Sequence, residues 1–147
     1  MQIQAPDIDK LAAFLAARRD ALAKLDEPVR RSLEALREEV QAAFDSGGAA
    51  VGAVWPPLAS RTLRDKLRLG YSPQPLVRTG RLRDGWTVRM EGPARGTLES
   101  VAPYARVHEE GLGRVPRRRF LPDPGDTRAI IGDAFREHVQ EALSGEP

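Results

Sequence analysis

The side chains best suited to chemistry are concentrated between Tyr104 and Pro122, in the stretch YARVHEEGLGRVPRRRFLP. This stretch combines an aromatic ring, a histidine, adjacent acids, glycines and several arginines. Such a density is expected of an active site, of a nucleic-acid interface or of a tightly specified assembly surface. Each of the three possibilities requires different supporting residues elsewhere in the sequence.

An enzyme is the least supported of the three. Nucleophilic catalysis requires a serine or cysteine within reach of a histidine that a carboxylate orients. The chain has no cysteine, and Ser60, Ser72 and Ser100 lie in no glycine-flanked turn. A hydrolase would therefore depend on His108 alone, and a histidine hydrogen-bonded in a packed turn is the simpler interpretation. The zinc-binding helix motif needs a second histidine where Leu112 stands. We predict no enzymatic activity.

A metal or nucleotide cofactor is not expected either. His108 and His138 are thirty residues apart without a partner at ligand spacing, and a chain without cysteine has neither thiolate ligands nor disulfides. The glycines of RTGRLRDG follow a proline-containing loop and not a strand, so they form a poor nucleotide motif. We predict no metal and no cofactor.

Charge is unevenly distributed along the chain. Residues 1–50 carry a net charge of −2, residues 51–119 carry +8 and residues 120–147 carry −4. The basic middle keeps a small non-specific DNA-binding protein open as an alternative, although the pattern of a recognition helix is missing. The arginines that could bind phosphates together are Arg114, Arg117, Arg118 and Arg119, with Arg78, Arg81 and Arg83 as an extension.

Length and composition predict one domain, residues 1–147. With 41% hydrophobic but only 5% aromatic residues, we expect a modest, aliphatic core. The N-terminus lacks a charged start followed by an apolar run, and no window resembles the roughly 20 apolar residues of a membrane span. We therefore expect a cytosolic protein without membrane contact.

Helical patterns occupy the first third of the chain. Asp7 is a candidate N-cap of an amphipathic helix, and a second helix begins at Asp26 or Glu27 and ends at Gly47. The two form either a hairpin or one kinked rod, and together they make segment 1–46 a helical N-terminal extension. The apolar residues of the first helix are Leu11, Phe14, Leu15, Leu22 and Leu25.

The remainder, 47–147, reads as an α+β core. A short basic helix is capped by Ser60, and WTVRM and TLESVA alternate as an antiparallel hairpin around EGPARG. YARVHEEG predicts one helical turn, and RVPRRRFLPDPGD predicts a loop or edge strand. A C-terminal helix follows, with Asp126 as its N-cap candidate and a stop at Gly145. The predicted class is α+β, with helices at both ends of a small antiparallel sheet. The predicted apolar stripe of the last helix is Ile130, Ile131, Ala134, Phe135, Val139 and Leu143.

Three stretches in one order, WPPLASRTLRDK, LVRTGRLRDGW and YARVHEEGLGRVPRRRFL, carry a family resemblance. The chain resembles the tailed-phage virion morphogenesis family, also called tail completion proteins, and more loosely the head–tail joining proteins. The resemblance covers roughly residues 55 to 143. The matching residues are Trp55, Pro57, Leu58, Thr62 and Lys66; Leu76, Thr79, Gly80, Leu82 and Arg83; Tyr104, Ala105, His108, Glu109 and Gly111; and Pro116, Arg118, Phe120 and Leu121.

The resemblance implies a structural protein of the virion, found at the head–tail junction after assembly in the host cytoplasm. It implies a ring, six-fold in symmetry, with DNA passing through its centre. The implied partners are further copies of the chain, a tail tube or tail terminator protein, and a neck or head connector protein. The implied assembly residues are Trp55, Thr79, Gly80, Arg83, Tyr104, His108, Gly111, Arg117, Arg118, Arg119 and Phe120, with Arg78, Arg81 and Arg114 as residues that could face DNA.

Physical expectations follow for these residues. Leu76 and Leu82 should enter the core around a turn at Thr79 and Gly80, and the rings of Tyr104 and Phe120 should be buried near the sheet. A ring uses two different faces of each subunit, which the basic middle and the acidic C-terminal helix with Asp133, Glu137 and Glu141 could supply.

The arginine run 117–119 is expected on an exposed arm that grips a neighbouring acidic surface or faces DNA. An exposed arm contributes little to the monomer's stability. Arg118→Glu should then weaken contact with a neighbour and leave the monomer folded.

Overall fold

A computed structural model describes residues 5–144, and the side-chain surroundings of residues 8–144. The predicted α+β class is confirmed, with helices at both ends of a two-stranded antiparallel sheet. The predicted stop at Gly145 lies outside the described residues. In chain order the elements are α1 (Ala5–Ala23), α2 (Asp26–Asp45), a 3-10 helix (Ala49–Val51), α3 (Ser60–Arg68), α4 (Arg81–Asp84), β1 (Trp86–Gly92), β2 (Arg95–Ser100), α5 (Ala105–Glu110) and α6 (Pro124–Ser144).

Helix α2 is the central element, since it packs against α6, against both strands and against the 3-10 helix. Its apolar face repeats at helical spacing, and Leu33, Val40, Ala43 and Phe44 are buried. The core therefore includes residues on both sides of the predicted boundary at residue 46.

Most of the buried apolar residues in the described chain are aliphatic, as expected, but the centre of the core is a cluster of four aromatic rings, which the composition did not predict. The ring of Phe44 lies 5.2 Å from that of Trp55 and 5.5 Å from that of Phe120, and Phe120 lies 5.7 Å from Trp86. Each aromatic side chain buries far more area than an aliphatic one, so a few of them at one point dominate a small core. Both indole N–H groups are satisfied, because Trp55 Nε1 donates to Arg119 O and Trp86 Nε1 donates to Leu82 O.

The predicted hairpin is confirmed, with a tighter turn than expected. Trp86 pairs with Ser100 and Val88 with Leu98, and the register shifts between Met90 and Gly92. The hairpin packs closely on α2, because a Cβ on Gly96 would lie 2.6 Å from Leu33 Cδ1.

The predicted helix caps were displaced. Helix α1 already includes Asp7, so this residue does not precede the helix. Ala59 occupies the N-cap position of α3, where no side chain caps the helix, and Ser60 is its first residue. For α6 the capping carboxylate belongs to Asp123, whose Oδ1 accepts from Gly125 N at 2.7 Å and from Asp126 N at 2.9 Å. Pro124 directly after the cap suits the first helical position, which is why the helix starts before Asp126.

The predicted apolar stripes of α1 and α6 are only partly buried. On α1, which packs on α6, Leu11 and Leu15 are 56% and 57% exposed. On α6 the buried residues are Ala134, His138 and Ala142, whereas Ile131, Val139 and Leu143 are exposed. None of the described helices is long and apolar enough to cross a bilayer.

Candidate assembly groove

An open groove with a volume of about 1110 Å³ lies between α3, α4, α5 and the loops that join them, and is called the basic groove below. Its walls come from Pro56 to Thr62, from Tyr71 to Leu82, from Tyr104 and His108, and from Arg114 to Arg118. These are the same three stretches that carry the family resemblance. Residues far apart in sequence therefore meet at one surface.

Arg118 forms part of the groove wall and is buried, so its predicted place on an exposed arm was wrong. Only 5% of the residue is exposed, and its Nε donates to Pro56 O at 3.0 Å while Nη2 donates to Pro57 O at 3.1 Å. Burial lowers the pKa of this guanidinium from its ordinary value. Arg118 therefore fastens the last motif stretch to the first, and replacing it should damage the monomer itself.

The arginine run is split between two surfaces of the molecule. Arg118 faces the basic groove, whereas Arg117 and Arg119 line a small cleft with Gly52, Ala53 and Val54 on another side. Arg119 Nη2 donates to Val51 O at 2.5 Å, and Arg117 Nε donates to Glu109 O at 3.1 Å. The three arginines therefore do not form one anion-binding patch.

Lys66 clamps the loop that forms the groove floor. Its ammonium donates to Gln74 O at 2.5 Å and to Val77 O at 2.7 Å, and only 8% of the residue is exposed. Burial and the nearby Arg78 lower the pKa of Lys66. Between the two carbonyls, Leu76 adopts a φ of 63°, a left-handed conformation that is strained for a leucine. Leu76 packs against the edge of the core from this position.

Helix α5 and the loop after it form a closed unit. His108 O accepts from Arg118 N at 2.9 Å, and the carboxylate of Glu109 accepts from Phe120 N at 2.8 Å and Leu121 N at 3.3 Å. Gly111 reverses the chain at a φ of 70°, and a Cβ there would lie 2.7 to 2.9 Å from Arg117. The HEEG stretch thus serves to hold the returning loop.

The remaining predicted residues lie in three places: the core, the groove and the surface outside the groove. Trp55, Leu82 and Phe120 are buried in the core, in agreement with their apolar character. Tyr104 is 40% exposed and lines the groove, so its predicted burial was wrong. Its ring packs edge-on against His108, with the ring centres 6.1 Å apart, on the groove side of α5. Arg83 lies outside the groove, where Nη2 pairs with Asp45 at 2.7 Å.

Among the described cations that line the groove, Arg78, Arg81 and Arg114 are exposed and keep donors for a partner. Arg78 stacks over the Tyr71 ring at 4.8 Å, and Arg81 Nη2 donates to Val101 O at 3.2 Å. Among the residues that the structure describes, those lining the groove include no Asp or Glu. The groove therefore presents positive charge between apolar walls, and Thr79 and Gly80 complete its rim.

His108 lies in this positive surrounding as a neutral group. Burial, and the charge of Arg118 after it, lower the pKa of His108 from its ordinary value and so favour the uncharged ring. Its Nδ1 is buried without a hydrogen-bond partner in the described part of the chain. Neither a serine nor a carboxylate accompanies His108 among the described lining residues. No described group of three acidic, histidine or cysteine residues could hold a metal ion.

Sequence reasoning missed two kinds of groove residue. Pro56 and Tyr71 line the groove, and Gln74 ties its loop to α2 by donating to Phe44 O. A glutamine in a proline loop carries no local signal of such a contact. Tyr71 could have been noticed as an aromatic residue in a basic segment. Its contact with Arg78, seven positions later, forms only because the loop between them folds back.

The comparisons with known proteins gave one match. A family model described as the phage virion morphogenesis family matches residues 6–140. The match includes helices α1 and α2, which precede the three motif stretches. Neither the comparison with curated proteins nor that with solved structures found a match.

Proposed function

Because the chain belongs to the phage virion morphogenesis family, we propose that its copies form a ring at the junction of head and tail in a tailed phage. The family makes the chain a structural protein of phage assembly that is associated with the virion. The ring and its position at the junction are the finer proposal. In it, the ring completes the tail, meets a neck or head connector protein on one face, and surrounds the path of the DNA.

One observation supports this proposal above the others: the three motif stretches converge on the basic groove. Three of their charged side chains hold the groove in shape, since Lys66, Glu109 and Arg118 bind backbone groups of neighbouring loops. A surface that is rigid, concave and free of a nucleophile–base pair suits the recognition of another protein. We therefore interpret it as an assembly surface.

The charge distribution supports a ring in particular. Closed rings join one face of a subunit to a different face of the next. The basic groove is one such face, and the acidic C-terminal part of the chain offers another. The implied neighbours are further copies, a tail tube or tail terminator protein and a neck or head connector protein.

The proposal is tested by complementation of a phage that lacks this gene. Arg114→Glu reverses an exposed groove cation, and Arg89→Glu, on the exposed side of β1, is the matched control. We expect Arg89→Glu to restore infectious particles and Arg114→Glu to leave separate heads and tails in the lysate. Electron microscopy of wild-type particles should place the protein in a ring at the neck. Normal particle yield with Arg114→Glu, or protein located elsewhere in the virion, would contradict the proposal.

A second candidate is non-specific DNA binding, favoured by the exposed arginines at the groove, Arg78, Arg81 and Arg114. If all three contact phosphates, the logarithm of the affinity for duplex DNA should fall with that of salt at a slope of about −3. Light scattering over a range of protein and salt concentrations, with and without duplex DNA, separates the candidates. A ring-sized species, or a monomer that ignores DNA, supports assembly; a monomer or dimer that releases DNA at high salt supports the alternative.

A further inference from the structure

The basic groove has the chemistry of a receptor for an acidic helix with apolar side chains. Arg78, Arg81 and Arg114 supply charge, whereas Pro57 and Leu58 supply apolar wall. Apolar walls gain free energy only when apolar side chains cover them, which a phosphate backbone does not offer. A concave groove of about 1110 Å³ also suits a narrow element such as one helix.

The end of helix α6 has the complementary chemistry. Helix α6 contains four carboxylates against two arginines, and Val139 and Leu143 are 40% and 59% exposed. Asp133 pairs with Arg136, and Glu141 pairs with Arg31 at 2.8 Å. Glu137 is also exposed, and at 3.6 residues per turn it lies at the opposite edge of the exposed face of α6 from Val139 and Leu143.

These two surfaces lie at opposite ends of helix α2. The Arg31–Glu141 ion pair joins the end of α6 to the first turns of α2. At the other end of α2, Phe44 O accepts from Gln74 of the groove loop, and Asp45 pairs with Arg83 of α4, the helix that borders the groove. From Arg31 to Phe44 the helix rises by roughly 20 Å. One copy therefore cannot place its own α6 end in its own groove.

We propose that the basic groove of one copy binds the C-terminal turns of helix α6 of a second copy, with Val139 and Leu143 against Pro57 and Leu58 and Glu137, on the other side of the helix, beside Arg114. This interface rests on the proposed ring. It joins one end of each copy to the opposite end of the next, and such head-to-tail contacts repeat from copy to copy and form a ring where the rotation closes.

Helix α1 is a weaker occupant, although Leu11 and Leu15 are exposed on it. Its acidic and basic residues balance, so it lacks the charge complementarity that α6 has. Duplex DNA would satisfy the arginines but leave the apolar wall uncovered. Both are outcomes of the test below.

Cysteine cross-linking tests the interface with no background, because the chain contains no cysteine. Thr62→Cys places a thiol on the groove wall, and Gln140→Cys places one between Glu137 and Leu143, one helical turn from each. Under mild oxidation the double variant should form a ladder of covalent multimers. A mixture of the two single variants should give dimers only, and each single variant alone should give little product.

The matched control pairs Gln140→Cys with Thr87→Cys, an exposed residue of β1 outside the groove. We expect it to yield about tenfold less cross-linked product, the ratio that a preference of 1.4 kcal/mol produces. Glu137→Arg should reduce cross-linking through Thr62 and Gln140 by a similar factor, and adding Arg114→Glu should restore it. Circular dichroism confirms that each variant is folded.

The outcomes separate this interface from the proposed function. If rings form but the double variant gives no more cross-linked product than the control, the interface is wrong and the ring proposal stands. The same conclusion follows if a cysteine on α1, and not one on α6, cross-links to the cysteine at position 62. A monomer without any ladder overturns the interface. Loss of the ladder on adding duplex DNA, together with loss of DNA binding in Arg114→Glu, assigns the groove to nucleic acid and also overturns it. A ladder from a protein located away from the neck supports the interface and contradicts the junction.

Discussion

Arg118 illustrates how a motif residue can hold the fold of its own chain together. Its guanidinium donates hydrogen bonds to the carbonyls of Pro56 and Pro57. Because proline has no backbone N–H, this segment cannot pair fully with a neighbouring strand. The arginine thus joins two loops that no sheet could join. Glu109 acts similarly on the backbone N–H groups of Phe120 and Leu121. Charged residues of the motif are, at this scale, mainly parts of the scaffold.

We predict that Arg118→Ala lowers the free energy of unfolding by about 1 to 3 kcal/mol, because a buried side chain and its two hydrogen bonds to Pro56 O and Pro57 O are lost. Arg118→Glu should cost more, since it brings a carboxylate against the same oxygens. Urea denaturation measures both. Arg117→Ala, at an exposed neighbour, is the control and should stay within about 0.5 kcal/mol of wild type. A wild-type midpoint for Arg118→Glu would restore the exposed-arm interpretation.

At the scale of elements, short helices and loops depend on particular backbone positions. Helix α5 ends where Gly111 turns left-handed, and the chain then comes back so closely that Arg117 fills the space of a Cβ. Helix α6 begins where Asp123 accepts two backbone N–H groups. These two positions define the loop between α5 and α6, which carries Arg118 into the groove wall.

Gly111→Ala should destabilise the protein more than Gly113→Ala. Both glycines have positive φ, so each substitution costs about 1 to 2 kcal/mol of backbone strain. Only at Gly111 does the new Cβ also meet Arg117, whereas nothing lies within 4 Å at Gly113. The clash should add about 1 to 3 kcal/mol. Thermal or urea unfolding measures both variants. Equal losses of stability in Gly111→Ala and Gly113→Ala would show that the loop near Arg117 moves aside without an energetic cost.

Asp123→Ala should lower the unfolding temperature at pH 7, and the loss should shrink in acid. Hydrogen bonds from the backbone N–H groups of Asp126 and Gly125 hold the pKa of Asp123 below its usual value. A depressed folded-state pKa contributes stability above the unfolded value near pH 4, and this contribution is lost as pH falls through the lower folded value. Thermal unfolding between about pH 7 and pH 2 measures the difference. Asp126→Ala, the cap expected from the sequence, should have a smaller effect; the reverse order would contradict the cap assignment.

At the scale of the whole molecule, two kinds of surface remain without a partner in the described chain. One is the basic groove, and the other is the exposed apolar stripe of α1 and the end of α6. Exposed apolar stripes of this kind mark contacts with other molecules more often than they serve the monomer. The fold thus resembles a component whose surfaces are completed by assembly.

Replacing both Leu11 and Leu15 by glutamine should leave monomer stability within about 0.5 kcal/mol of wild type, because both residues are more than half exposed. Self-association at high concentration, measured by light scattering, should fall. Leu33→Ala is the buried counterpart, which should cost about 2 to 5 kcal/mol. A comparable loss in the double variant would place the stripe in the monomer's core.

The sequence alone predicted the α+β class, the hairpin of β1 and β2, the start of α2 near Asp26 and the family, because periodicity, turn residues and ordered motifs are local signals. It could not predict which arginine of the 117–119 run turns inward, since that depends on the direction of an extended loop relative to Pro56. It also placed the cap of α6 three residues late and the ring of Tyr104 inside. Only the tertiary structure brought Lys66, Arg78, Arg114 and Arg118 to one groove, because contacts between distant loops are decided by packing around Phe44, Trp55 and Phe120 and leave no periodic pattern in the chain.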